Sequence, residues 1–131
     1  MSEPTTTAPH GVTPAARYAH VVTATGRCVA VAGRSAIDEH GAVLGEGDPR
    51  ARARQVFENL RRCPAAADAT FDDVVELTCF GTDMAHLPAI REVRAAHLPD
   101  DRLPAASAER GGALVRPEFL TEVEAFAVVG A

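Results

Sequence analysis

The sequence predicts an α+β fold, a two-layer sandwich with two helices on one face of a mixed β-sheet. Two segments carry apolar residues at helical spacing, and runs rich in Val, Ala and Thr precede, separate and follow them. The resulting order is β-β-(β)-α-β-α-β-β, which packs as one layer of helices on one layer of strands. At 131 residues the chain can build one core and is too short for two. With 5% aromatic residues and no Trp, that core must come from Val, Ala and Leu.

Residues 1–14 hold three prolines and a Thr run, which predicts a flexible lead-in; residues 15–131 form the single domain. Two β-rich runs, 17–24 and 28–33, are separated by Gly26-Arg27 and read as a hairpin. Ala42, Val43 and Leu44, between Gly41 and Gly45, add a short third strand. Asp48 then precedes Pro49, a capping side chain followed by a proline at the first helical position. Ala53, Val56, Leu60, Cys63 and Ala67 follow at spacings of 3, 4, 3 and 4, one apolar stripe on a helix. Pro64 is expected to kink or end that helix near Arg62.

Phe71-Asp72-Asp73 reads as a turn into a central strand over 74–84. Leu87, Ile90, Val93 and His97 mark a second helix, 100–104 a polar loop, and 119–129 the clearest strand of all. The helices leave one sheet face bare, and the chain has no third layer to cover it. Self-association into a closed symmetric ring is the economical answer.

The net charge of −5 argues against a nucleic-acid surface, which needs clustered cations on one face. Arg50, Arg52, Arg54, Arg61 and Arg62 do cluster, but on a helix with Asp48 and Glu58 nearby, so they read as a solvated face. No apolar run approaches the roughly 20 residues that span a bilayer, and the first residues lack the apolar stretch of a secretory signal. Three widely spaced cysteines, Cys28, Cys63 and Cys79, in contexts that look buried, fit reduced thiols in the cytoplasm. The five histidines show no metal-ligand spacing, and neither a P-loop nor a dinucleotide fingerprint is present, so no metal or cofactor is expected.

Alternation along the last strand puts Glu122 and Glu124 on the side of Leu120, Phe126 and Val128, with Thr121, Val123, Ala125 and Ala127 opposite. Neither side is polar enough to face open water, so at least one glutamate should be partly buried. Such a carboxylate is either paired with one of the arginines or works in a site. Tyr18 and His20 share a face near the start of the chain, as packing or as a functional pair.

The block over residues 26–62, with Gly33, Gly41, Gly47, Asp48, Gln55, Asn59 and Leu60, resembles the RidA/YjgF family. Phe71 to Val75, Thr82-Asp83-Met84, Glu92-Val93 and Glu122-Val123-Glu124-Ala125 continue the resemblance over about residues 17–129. It implies a chorismate-mutase-like fold and a homotrimer with small-molecule clefts between subunits. It also implies hydrolysis of reactive enamines and imines, such as 2-aminoacrylate, to a keto acid and ammonia. Family sites combine a first-strand tyrosine, a backbone group of a glycine turn, a water held by a terminal glutamate and an arginine clamping the substrate carboxylate. Guanidinium suits that last task through its bidentate fork.

Here the clamp position falls on Ala106, in the stretch Leu103-Pro104-Ala105-Ala106-Ser107. Arg34 stands where the turn has Gln, Arg91 where the second helix has Asn, and Glu109-Arg110-Gly111-Gly112 where β-branched residues are common. Three readings stay open. The chain is an enzyme on an imine, enamine or related nitrogen compound without the amino-acid carboxylate, as fits a divergent member in specialised metabolism; Glu122, Tyr18 and His20 would be catalytic. Or Arg34, Arg91 or Arg110 replaces the clamp, with Gly33 and Ser107 completing the substrate site. Or the trimer binds a small metabolite without catalysis.

Overall fold

A computed structural model describes residues 4–98, 101 and 103–130. Its main sheet has four strands, β3 (Arg27–Arg34), β4 (Val74–Gly81), β5 (Ala105–Arg110) and β6 (Thr121–Val129), in the order β3-β6-β4-β5. Strand β6 runs antiparallel to both neighbours, whereas β4 and β5 are parallel. A parallel pair needs a crossover, and α2 (Leu87–His97) supplies it; α1 (Pro49–Ala65) connects β3 to β4 in the same way. The two helices pack on each other and share one core with the sheet, giving the expected two-layer α+β architecture.

The core is mostly aliphatic, as the composition required. Val56, Phe57 and Leu60 of α1 and Ile90 and Val93 of α2 cover Val31, Leu77, Val123, Ala125 and Ala127 of the sheet. Phe57, absent from the predicted stripe, is fully buried and stacks on His97 with ring centroids 5.5 Å apart. Asp48 caps α1 by accepting from the backbone N–H groups of Arg50 and Ala51 at 3.1 Å, as its place before Pro49 implied. Among the described residues no helix is long and apolar enough to cross a membrane.

Several expectations need correction. The hairpin of 17–24 with 28–33 does not form: β2 is only Val21–Thr23 and pairs with β1 (Thr5–Thr7), inside the presumed lead-in. β3 pairs instead with the long last strand, which offers a far more extensive ladder. The third strand at 42–44 shrinks to a single bridge between Ile37 and Val43. Helix α1 continues through Pro64 to Ala65; the proline forfeits the N–H bond to the Leu60 carbonyl only one residue before the helix ends, and the Pro64 carbonyl accepts from Ala67 and Ala69 as the chain leaves. Arg52 is not solvated: it is buried, and its Nη1 donates to the Glu118 carbonyl at 2.6 Å. Cys28 is exposed, whereas Cys79 is in the core, where burial pushes its thiol pKa up.

Candidate functional site

The side of the sheet away from the helices is set by β6. Thr121, Val123, Ala125 and Ala127 turn inward, which leaves Glu122, Glu124 and Phe126 outward. Both glutamates are half-buried and Phe126 is exposed. In register with them on β4 lie Phe80, Thr78 and Glu76, and beyond these on β5 lie Glu109, Ser107 and Ala105. Four carboxylates thus share this face, and Glu76 accepts a hydrogen bond from the Thr78 hydroxyl at 3.0 Å.

Glu122 sits at the end of this face where β3 is irregular. Val31 pairs with Ala125 and Arg34 with Val123, three residues against two, so one extra residue bulges. There the backbone of Gly33 comes up against the Glu122 side chain; a Cβ on Gly33 would lie 2.0 Å from Glu122 Oε1. Only glycine allows that approach. No cation lies within ion-pair distance of Glu122 among the described residues. Arg34, beside Gly33 in sequence, turns back and donates its Nε to the carbonyls of Ala32 and Gly33 at 3.1 Å. Arg110 pairs with Gly81 at the same end of the sheet and is exposed.

Helix α1 supports the segment that follows the bulge. Asn59 donates through Nδ2 to the carbonyls of Ser35 and Ile37, both at 2.9 Å, while its Oδ1 accepts from Gln55 at 3.0 Å. These two residues carried part of the family resemblance, and their task is structural.

Tyr18 and His20 lie at the other end of the sheet. Ala19 bridges to Ala105, at the start of β5, and donates to the Pro104 carbonyl at 3.0 Å. The two rings meet edge-on with centroids 5.7 Å apart, and His20 Nε2 is 2.7 Å from the Thr13 carbonyl. They line a cavity of about 440 Å³ together with Val12, Asp101 and Leu103. Ala105 pairs with Glu76 and Glu109 with Phe80, so the Tyr18 pair and Glu122 occupy opposite ends of one chain's sheet.

Ala106 pairs with Leu77, whose side chain is in the core, so this position faces the helices and not Glu122; Ser107 is exposed on the open face. Near the Tyr18 end, Arg17, Arg91 and Arg94 line a second cavity of about 430 Å³ with Ala95, Leu98 and Leu103. Of these arginines the sequence reading singled out Arg91 alone. Arg94, one helical turn further on, carried the missed signal. Among the described residues no group of three His, Cys, Asp or Glu side chains is placed to hold a metal.

Comparison with known proteins agrees with this architecture. The family described as Endoribonuclease L-PSP matches residues 6–129. A Rid-family protein from Yersinia pestis superposes with a TM-score of 0.83 at 29% identity, over 97% of this chain and 99% of its own. A RidA from an Antarctic Psychrobacter species gives 0.72 at 29% identity, over 89% and 92%. A YjgF-family protein from Mycobacterium tuberculosis gives 0.68 at 29% identity, over 86% of each chain. A match across nearly the whole chain, with the fold to go with it, leaves one conclusion: the protein belongs to the RidA/YjgF family.

Proposed function

We propose that the chain acts in the cytoplasm, as a ring of three copies, on a small reactive imine, enamine or related nitrogen compound. Water adds across the C=N bond, and in the deaminating case the carbinolamine collapses to a carbonyl compound and ammonia. Hydration, dehydration or cyclisation would use the same groups. Glu122 orients or deprotonates the water, and Tyr18 and His20 supply protons or hydrogen bonds. Gly33 and Ser107, with Arg34, Arg91 and Arg110 as available cations, are the proposed substrate contacts; Ala106 stands at the clamp position, on the helix side of β5, so only a longer side chain there would reach a ligand between chains. Ring closure is what would bring the Glu122 end of one sheet to the Tyr18 end of its neighbour. The chemistry moves only water and protons, so it needs no metal or cofactor.

The observation that carries this reading is the Glu122 carboxylate, half-buried against Gly33 with no cation in ion-pair distance among the described residues. A carboxylate held in place by contact with the backbone, and not by a cation, can accept a hydrogen bond from a water at the site. The test generates 2-aminoacrylate in situ and follows ammonia release. Acceleration above the uncatalysed rate that drops at least about 100-fold in Glu122→Gln supports the reading. Undiminished acceleration in that variant refutes the role of Glu122. Ala106→Arg is the complement, and gained deamination would show the rest of the site to be competent.

A second reading, metabolite binding without catalysis, is favoured by the separation of Tyr18 and His20 from Glu122 within one chain. Sedimentation as a monomer would leave the two halves apart and favour it over the first.

A further inference from the structure

The cavity against α2 gathers cations that meet no acidic side chain among the described residues. Arg50, Arg61, Arg62 and Arg116 each meet a glutamate within ion-pair distance, whereas Arg17, Arg91 and Arg94 meet no carboxylate among the described residues. Glu92, the acid next to Arg91 in sequence, is already held by Arg50 at 2.5 Å. Three like charges line one space of about 430 Å³, and Arg17 and Arg91 both repel the charge on Arg94.

We propose that this cavity is a binding site for the anionic group, carboxylate or phosphate, of a small organic molecule, held by the guanidinium groups of Arg17, Arg91 and Arg94.

Arg94 is the anchor. It is half-buried and donates through Nη2 to the Arg17 carbonyl at 3.3 Å. That carbonyl belongs to a residue with φ of 61°, a left-handed conformation that a non-glycine residue adopts at a cost. The strained backbone thus places Arg17 beside α2, with its side chain on the same cavity. Burial lowers the pKa of Arg94 from the usual guanidinium value; Arg91 and Arg17 push the same way, and Cys79 opposes them. An anion entering the cavity would relieve that repulsion. Guanidinium forks match both carboxylate and phosphate oxygens in pairs. Ala95, Leu98 and Leu103 supply an apolar wall, which lowers the local dielectric and fits the hydrocarbon part of the ligand.

The inference rests on the proposed role of Arg91 as a substrate-binding cation; its test reads binding alone, so its failure is distinguishable from a failure of catalysis at Glu122. The test titrates the full chain with inorganic phosphate and with malonate by calorimetry, at constant ionic strength set with chloride. The expected result is saturable binding of at least one probe, weakened about tenfold or more in Arg91→Gln and in Arg17→Gln. Both sites of substitution are exposed, so neither change should impair folding. Arg61→Gln, which alters an arginine already paired with Glu58, is the control and should bind as the parent does. Preference for phosphate or for malonate identifies the anionic group. Equal heats for both probes and chloride would overturn the proposal, as would undiminished binding in Arg91→Gln. Dissociation of the oligomer in Arg91→Gln would overturn it too, because the cations would then serve a neighbouring chain's carboxylates.

Discussion

On the helix-bearing face of the sheet, Val31, Leu77, Val123, Ala125 and Ala127 are buried by α1 and α2. On the opposite face of the same strands, Glu76, Glu122 and Glu124 are half-buried and Phe126 is exposed. One alternation makes both faces. The first face is completed inside the chain by apolar contact. The second carries carboxylates and an aromatic ring that the chain itself leaves uncovered. The difference separates a face that folding completes from one that it leaves open: substitutions on the first should read out as stability, and, under the proposed function, those on the second as assembly or chemistry.

The largest expected effect breaks the first face. Phe57→Ala removes a fully buried ring that stacks on His97 and should cost about 3–5 kcal/mol, measured by urea unfolding. Phe126→Ala, the matching change on the open face, should cost the isolated chain under about 1 kcal/mol, because its ring is already 40% exposed. In a ring assembly the same change should shift sedimentation towards smaller species. If the two variants unfold with equal losses, the faces are not different in the way described.

A smaller effect sits where the faces meet the bulge. Gly33→Ala forces a methyl to within 2.0 Å of the present Glu122 Oε1 position, so the carboxylate must move, at about 1–3 kcal/mol. Adding Glu122→Ala should return part of that loss, with a coupling of about 0.5–3 kcal/mol in a double-mutant cycle. Strict additivity would mean that the two residues do not touch. Asn59→Ala, which strips one donor from the Ser35 and Ile37 carbonyls, should cost about 1–2 kcal/mol by the same measurement.

Much of the helix-bearing face was legible in the sequence because periodicity reports burial directly. The stripe through Ala53, Val56 and Leu60, the Asp48 cap and the inward set on β6 needed nothing but spacing. Pairing was less legible. Which strand β3 joins depends on ladders formed with residues almost a hundred positions away, and the Gly26 turn suggested the wrong partner. The candidate site was legible in its parts and not in its arrangement. Glu122 and Gly33 were both named, but their contact depends on a bulge that no local pattern announces. Arg94 was missed because an arginine in a helix ordinarily reads as solvated, and only the fold shows that Arg17 comes from 77 residues away to meet it.

The smallest effect contrasts a carboxylate that has cationic partners with those on the open face, which have none among the described residues. Glu58, on the outer side of α1, accepts from Arg61 at 2.6 Å and from Arg62 at 3.0 Å. Those hydrogen bonds, Arg61 first, hold its pKa at about 2, below the ordinary 4.5. A carboxyl whose folded pKa is depressed stabilises the fold above its unfolded pKa and loses that contribution as pH falls towards the folded value. The Glu58 contribution should therefore be complete above about pH 5 and should fade between about pH 4.5 and pH 2. It is an exposed pair, so the effect will be modest and will shrink in salt. Glu58→Gln should melt slightly below the parent near neutrality, and the gap should close as the buffer approaches pH 2. A gap that stays constant across that range would show that the glutamine perturbs the helix by some other route, and that the pairing on α1 adds nothing to the fold.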